Sequence, residues 1–248
     1  MIDIHIHILP GVDDGSFSLE ESLAMARMAV ESGVTEMITT PHCNRPDGSE
    51  RFWAPDFVPR VRDFQQELDR ADIPLKVYTG MEVFGTPEAP ELLQDGLLMP
   101  LAQSGYLLIE FYFDDYGREA TRTLEEIRAM GYTPIVAHPE RYRYVQHRPE
   151  LLNIWTDMGC LLQCNRGSLL GRFGPGPERM AYRMLDRGFP SFIASDAHRS
   201  TVRTPWLDDV YRITAEEYSP ATARRLLEDN PRHVLNNERI MPVDPDWF

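Results

Sequence analysis

Lysine is almost absent from this sequence. Lys76 stands alone, so nearly all of the 25 basic side chains are arginine, against 39 acidic ones and a formal net charge of −14. A field of that sign repels nucleic acid and anionic lipid at long range and argues against both as main partners. An anionic substrate would then be held by local positive charge, from metal ions and a few arginines, whose planar forks suit phosphoryl oxygens. Cysteine is scarce too. Cys43, Cys160 and Cys164 cannot all pair with one another, which speaks for a reducing compartment rather than a disulfide framework. No apolar run approaches the roughly 18 residues of a bilayer span, so no membrane insertion is expected. The opening Met1-Ile2-Asp3-Ile4-His5 shows neither the basic nor the apolar region of an export signal, and a cytoplasmic protein is the expectation.

The 248 residues present are enough for one full hydrophobic core, and a single domain over 1–248 is expected. Short β-like runs alternate with helical segments, the pattern of a parallel α/β fold. Ser18 and Glu21 form a capping box ahead of Leu19, Leu23, Ala26 and Val30 at helical spacing. Helices with Leu124 and Ile127, with Leu151, Leu152 and Trp155, and with Met180, Met184 and Leu185 follow the same plan. Gly33, Gly131, Gly159 and Gly188 end these helices. Strands are expected at 2–8, 34–40, 77–81, 106–111, 133–137, 160–164 and 191–194, and polar loops at 44–59 and 167–177.

Each expected strand delivers a polar residue at its C-terminal end. His5 and His7 share one face of the first, since residues at i and i+2 point the same way. His42, Glu82, Glu110, His138 and Asn165 follow in turn, and Asp196 and His198 close the series. In a closed α/β barrel that rim is where strand ends converge and active sites form. A lone histidine is more often an ordinary core or surface residue, which is the reading for His147 and His233. Five histidines at strand ends with intervening carboxylates instead suit a centre for Zn, Mn or Fe. The number of acids favours more than one ion, with Glu82, midway around the barrel, as the bridge. Arg141 and Arg203 fall on loops at the same rim, where a guanidinium can fork onto two phosphoryl oxygens.

Cys160 and Arg166 have the spacing of cysteine-dependent phosphatase loops. The residues between them, Leu161-Leu162-Gln163-Cys164-Asn165, read as a buried strand without the glycines that let backbone N–H groups form an anion nest. The match is accidental.

Asp3-Ile4-His5-Ile6-His7, Pro41-His42, Glu82, Ala137-His138-Pro139 and Ser195-Asp196-Ala197-His198 resemble the PHP (polymerase and histidinol phosphatase) superfamily. Val12-Asp13-Asp14-Gly15, Leu108-Ile109-Glu110-Phe111, His138-Pro139-Glu140-Arg141-Tyr142 and Asp229-Asn230-Pro231 are similar to its bacterial protein-tyrosine phosphatases of capsule and exopolysaccharide synthesis. The resemblance covers nearly the whole chain. It implies a distorted TIM-like (β/α)7 barrel with three metal sites: His5, His7, Glu82 and Asp196; Glu82, Glu110 and His138; Asp14, His42 and His198. It implies Mn as the first ion to test, with Fe or Zn open, and Arg141 and Arg203 as phosphate-binding residues. The implied reaction is hydrolysis of phosphotyrosine by a metal-bound hydroxide, with a tyrosine autokinase controlling polysaccharide export as the partner. Phe111, Tyr112, Phe113 and Tyr116 are candidates to flank the substrate ring. A small-molecule phosphomonoesterase, such as one acting on histidinol phosphate, is the alternative, and a metal-bearing scaffold a further one.

Overall fold

The computed structural model describes residues 1–46, 53–241 and 244–248. Among them lie the strands β1 (Ile2–Ile6), β2 (Glu36–Thr39), β3 (His42–Cys43), β4 (Lys76–Tyr78), β5 (Glu82–Phe84), β6 (Tyr106–Glu110), β7 (Thr133–Ala137), β8 (Leu161–Asn165) and β9 (Phe192–Ala194). All pairings are parallel, in the orders β1-β2-β4 and β3-β5-β6-β7-β8-β9. The two sheets are parts of one ring. β2 continues into β3 and β4 into β5 across short breaks. At the far edge the His7 N–H donates to the Ala197 carbonyl (2.9 Å) and the Asp196 N–H to the His5 carbonyl (2.8 Å), returning the chain beyond β9 to β1. The result is a distorted TIM-like barrel of seven strand lines.

The breaks correct the expected single strand at 77–81. At Gly80 the chain approaches its neighbour so closely that a Cβ would lie 2.6 Å from Ile38 Cγ2. Pairing resumes beyond that point, with His42 opposite Glu82 in β3 and β5. Both residues therefore stand on strands rather than after them.

Side chains on β6 to β9 sort by the two-residue period of a strand. Leu107, Ile109, Val136, Leu162, Cys164 and Ile193 join the larger core cluster with the helical Leu124, Ile127, Leu152, Trp155, Met180 and Met184. The alternate residues Tyr106, Leu108, Ile135, Ala137, Leu161, Phe192 and Ala194 form a second cluster with Ile2 and Ile4. Followed toward the strand C-termini, these second files turn polar, Leu108 giving way to Glu110, Leu161 to Gln163 and Asn165, and Ala194 to Asp196. The apolar part stabilises the barrel and its continuation supplies the site.

The helices lie where apolar spacing places them, at Leu19–Glu31, Arg118–Ala129, Glu150–Asp157 and Pro175–Asp186. The four glycines expected to end them have positive φ, from 77° at Gly188 to 92° at Gly131. The capping box at Ser18 forms only in half. Ser18 Oγ accepts from the Glu21 N–H (3.3 Å), but the Glu21 carboxylate accepts from the Ser200 N–H (2.6 Å) and hydroxyl (3.1 Å) instead. A charge-assisted bond to a distant loop thus replaces a local one.

Both expected loops are shorter than their polar residues suggested. A helix begins at Ala54 and runs to Arg70, because Pro55 suits a first turn and Phe57, Val61, Phe64 and Leu68 bury one face. Residues 47–52 of that expected loop lie outside the described residues. In the second, Gly167 to Leu169 belong to a short helix and Pro175 starts the next. Phe57 is fully buried in the larger cluster. Phe57→Ala should therefore cost about 3–5 kcal/mol in urea denaturation, where a loop residue would cost little.

Candidate metal centre

The barrel brings nine sequence-predicted candidates together: His5, His7, Asp14, His42, Glu82, Glu110, His138, Asp196 and His198. Their donor atoms form four overlapping groups, each compact enough for one ion: His7, Asp14, His42 and His198; His5, His7 and Asp196; His5, Glu82 and His138; His42, Glu82 and Glu110. This partition differs from the three sets that the resemblance implied. His7 also reaches the Asp14 group, and Glu110 lies nearer His42 (3.1 Å) than His138 (3.9 Å). Glu82 is central. Its Oε1 is 3.1 Å from His5 Nε2 and 3.0 Å from His138 Nε2, and its Oε2 is 3.2 Å from His7 Nε2 and 3.0 Å from His42 Nδ1. Apart from Asp14, whose side chain is 59% exposed, the group is buried.

Hydrogen bonds behind the cluster fix how its imidazoles face. Asp196 Oδ2 can only accept, so the Asn165 atom 2.6 Å from it is the Nδ2 donor. Asn165 Oδ1 therefore accepts from Gln163 Nε2 (2.8 Å), which leaves Gln163 Oε1 to accept from His5 Nδ1–H (2.8 Å). Asp13 does the same for His7, accepting from Nδ1–H at 2.7 Å, and also holds the His42 backbone N–H at 3.0 Å. His198 Nδ1–H donates to the Asp196 carbonyl at 3.1 Å. Each of these three rings thus turns Nε2 toward the cluster, the orientation in which imidazole binds metal. The sequence reading placed Asn165 at the rim but missed Asp13 and Gln163 as site residues. Their signal was available, a polar residue on an inward strand file and a carboxylate beside Asp14, but only folding shows which ring each one holds.

The charges are strongly biased. Burial opposes protonation of His42, but the carboxylates of Glu82 and Glu110 outweigh it and raise its pKa to about 10. Burial disfavours ionised Asp13 too, yet His7 and His42 bring it down to about 2. Asp14 is also held below the usual range, by His198 and His42 against burial. His198 is lowered to about 4 by burial and by the neighbouring His7. Nε2 of His5 and of His7 lie 3.3 Å apart, and both face the carboxylates of Glu82 and Asp196.

Arg141 and Arg203 meet at Asp196, with Arg141 Nη1 3.0 Å from Oδ2 and Arg203 Nη2 2.5 Å from Oδ1. Arg203 stands in a turn closed by the His198 N–H donating to its carbonyl at 2.9 Å. The continuation of that turn is clamped by Arg166, which forks onto Asp209 (2.8 and 2.6 Å) and donates to the Thr204 carbonyl (3.0 Å). Arg166 is therefore spent on structure. Cys160, buried at the N-terminal end of β8, has its thiol pushed up to about 12 by desolvation, which leaves no thiolate near neutrality. His147 donates to the Arg143 carbonyl and His233 lies 3.7 Å from Glu238, outside the four groups.

The donor set fits hard or borderline divalent ions. Imidazole nitrogens and carboxylate oxygens converge without a thiolate, and His42 Nδ1, Glu82 Oε2, Glu110 Oε1 and His198 Nε2 are buried without a hydrogen-bond partner. Fold and site together define a distorted α/β barrel whose rim carries His, Asp and Glu groups able to hold metal. The fold alone is shared with the phosphotriesterase homology protein of Escherichia coli, at 15% identity and a TM-score of 0.56 over 94% of this chain and 98% of that one. The chain belongs to the CpsB/CapC family of capsular polysaccharide synthesis, whose model matches residues 1–236. It is 34% identical to tyrosine-protein phosphatase YwqE of Bacillus subtilis over 99% of this chain and 95% of that one. Tyrosine-protein phosphatase CpsB of Streptococcus pneumoniae is 32% identical, over 97% of this chain and 100% of the relative. A solved structure from work on YwqE and CpsB as metal-dependent tyrosine phosphatases superposes with a TM-score of 0.94, at 33% identity, over 100% of this chain and 99% of that one.

With its pKa near 10, His42 is protonated at neutral pH and must lose that proton to ligate, whereas His198, near 4, is already neutral. Metal binding to the stripped protein should therefore release protons at pH 7, and apparent affinity should rise with pH. Calorimetry in buffers of different ionisation enthalpy measures that release. Gln163→Leu removes the acceptor for His5 Nδ1–H and should weaken metal binding about 10–100-fold, read by competition with a coloured chelator.

Proposed function

We propose that this chain is a metal-dependent phosphoric monoester hydrolase acting on phosphotyrosine in proteins, its 1–248 span working as one catalytic domain. The observation that carries the proposal is the meeting of the His and carboxylate donor groups with Arg141 and Arg203 at Asp196. His5, His7, Asp14, His42, Glu82, Glu110, His138, Asp196 and His198 would hold the metal, with Mn the first choice, Fe or Zn open, and three ions the expected number. Divalent ions bound there supply a nucleophilic water near neutral pH and a sink for charge developing on the phosphoryl group.

The chain's own part is positioning and charge. Arg141 and Arg203 bind phosphoryl oxygens through guanidinium edges that converge beside the donor groups. The leaving tyrosinate, with a phenol pKa near ~10, makes little demand on a general acid. A cavity of about 200 Å³ lined by Arg45, Phe84, Glu110, Tyr112 and Phe113 adjoins the cluster and suits an aromatic leaving group. Of the aromatic candidates, Tyr112 and Phe113 line that cavity with exposed faces. Phe111 lines it too, from a buried position in the core, whereas Tyr116 lines a separate depression with Arg143 and His147.

Among the described residues no helix is long and apolar enough to cross a membrane, and Cys43, Cys160 and Cys164 are buried and form no disulfide with one another. These features support a cytoplasmic enzyme. The family's link to capsular polysaccharide synthesis supports a bacterial tyrosine autokinase of that system as the phosphoprotein partner.

The test is turnover of a phosphotyrosine peptide. Chelation should abolish it, Mn should restore it, and Cys160→Ser should leave it unchanged. Activity that survives chelation, or disappears with Cys160, would overturn the assignment.

A further inference from the structure

Neither arginine at Asp196 is held in place by a polar neighbour alone. The Arg141 guanidinium lies between two aromatic rings, with Cζ 4.7 Å from the centroid of Phe113 and 4.3 Å from that of Phe173. Arg203 Cζ is 5.8 Å from the same Phe173 ring. Phe173 therefore stands beside both cations and within cation–π range of each. Its own position is set by Gly167. A Cβ on Gly167 would meet Phe173 Cε2 at 2.6 Å and Cζ at 2.9 Å, so the ring rests directly on the backbone of that residue.

The choice of an aromatic neighbour has a chemical consequence. A polar side chain would hold a guanidinium by occupying its N–H groups. A ring holds it by its face and leaves the N–H edge free for oxygen acceptors. Among the described residues Arg203 Nε is indeed without a hydrogen-bond partner, and the Arg141 side chain donates from Nη1 to Asp196. The ring's negative face also sits beside two like charges that would otherwise repel each other across the site.

We propose that Phe173, seated on Gly167, is a positioning residue for the reaction: an aromatic platform that holds Arg141 and Arg203 with their donor edges turned to the phosphoryl group. This rests on the reading of those two arginines as phosphoryl ligands. Phe173 and Gly167 lie on the segment 166–174 that follows β8, and Arg141 links that segment to Phe113 of the substrate-ring cavity.

The experiment compares the Mn-loaded parent protein with Phe173→Leu, Phe173→Tyr and Gly167→Ala. Gly167 is in a short helix with ordinary backbone angles, and the atoms a new methyl would strike are the far edge of a partly exposed ring, so Gly167→Ala should shift the ring and spare the fold. Inorganic phosphate is the probe, titrated calorimetrically, with bound metal and melting temperature measured on every variant. Phe173→Leu and Gly167→Ala should each weaken phosphate binding about five-fold and raise KM for a phosphotyrosine peptide more than they lower kcat. Phe173→Tyr should restore binding to within about two-fold, since the stacking face is kept. Metal content and melting temperature should match the parent throughout. If Arg203→Ala weakens phosphate binding while Phe173→Leu and Gly167→Ala bind like the parent, the platform is wrong and the arginine reading stands. If Arg141→Ala and Arg203→Ala both bind phosphate like the parent, the arginine reading itself fails. Loss of metal or of melting temperature in both Phe173→Leu and Gly167→Ala would make the role structural and overturn the proposal.

Discussion

Glu82 is a buried carboxylate surrounded by four imidazoles, and much of the site's geometry follows from that arrangement. Moving a carboxylate out of water is costly, so its counter-charges must be close and well aimed. His5 and His42 hold it ionised against burial, and it in turn favours protonation of His42. Such a cluster tolerates little displacement, which is why its outer members are tied from behind. Gln163 and Asn165 link His5 to Asp196, and Asp13 links His7 to the His42 backbone. The same mutual neutralisation makes the cluster ready for cations, because each proton held between imidazole and carboxylate can be exchanged for a share of a metal ion.

An acidic protein must draw its anion to a small target. The formal charge of −14 works against phosphate everywhere except where arginine is concentrated. Here two arginines close on one aspartate at the rim of the barrel, and a third, Arg166, is diverted to Asp209 and Thr204. The positive potential is thus local. It depends on backbone placement as much as on residue type, since His138, Asp196 and Arg203 have φ of 35°, 48° and 50°. Left-handed backbone at non-glycine residues costs on the order of 1–3 kcal/mol each. The barrel sustains that strain at one point beyond β7 and two beyond β9, where it turns the side chains toward a common centre.

The surrounding loops show how a distant contact can replace a local one. Glu21 has the right spacing to complete a capping box, yet it accepts two hydrogen bonds from Ser200, near the turn that carries Arg203. The segment from Ala54 reads as loop by its prolines and polar residues, yet Phe57, Val61, Phe64 and Leu68 make it helix. In both cases a short-range signal gave way to burial or to a charged bond that only the fold makes possible.

The alternation of strands and helices, the glycines that end the helices, and the file of His, Glu and Asp at successive strand ends were legible in the linear chain, because period and spacing are local properties. So was the pairing of His5 with His7 on one face. The tertiary structure alone decided which donor atoms come within reach of one another, bringing Glu110 beside His42 and His7 near Asp14. It also decided which amide orients which imidazole, where the strand lines break at Gly80, and that Phe173 comes to rest on Gly167 beside two arginines. Those relations join residues far apart in sequence through contacts of a few ångströms, and no periodicity records a distance across the barrel.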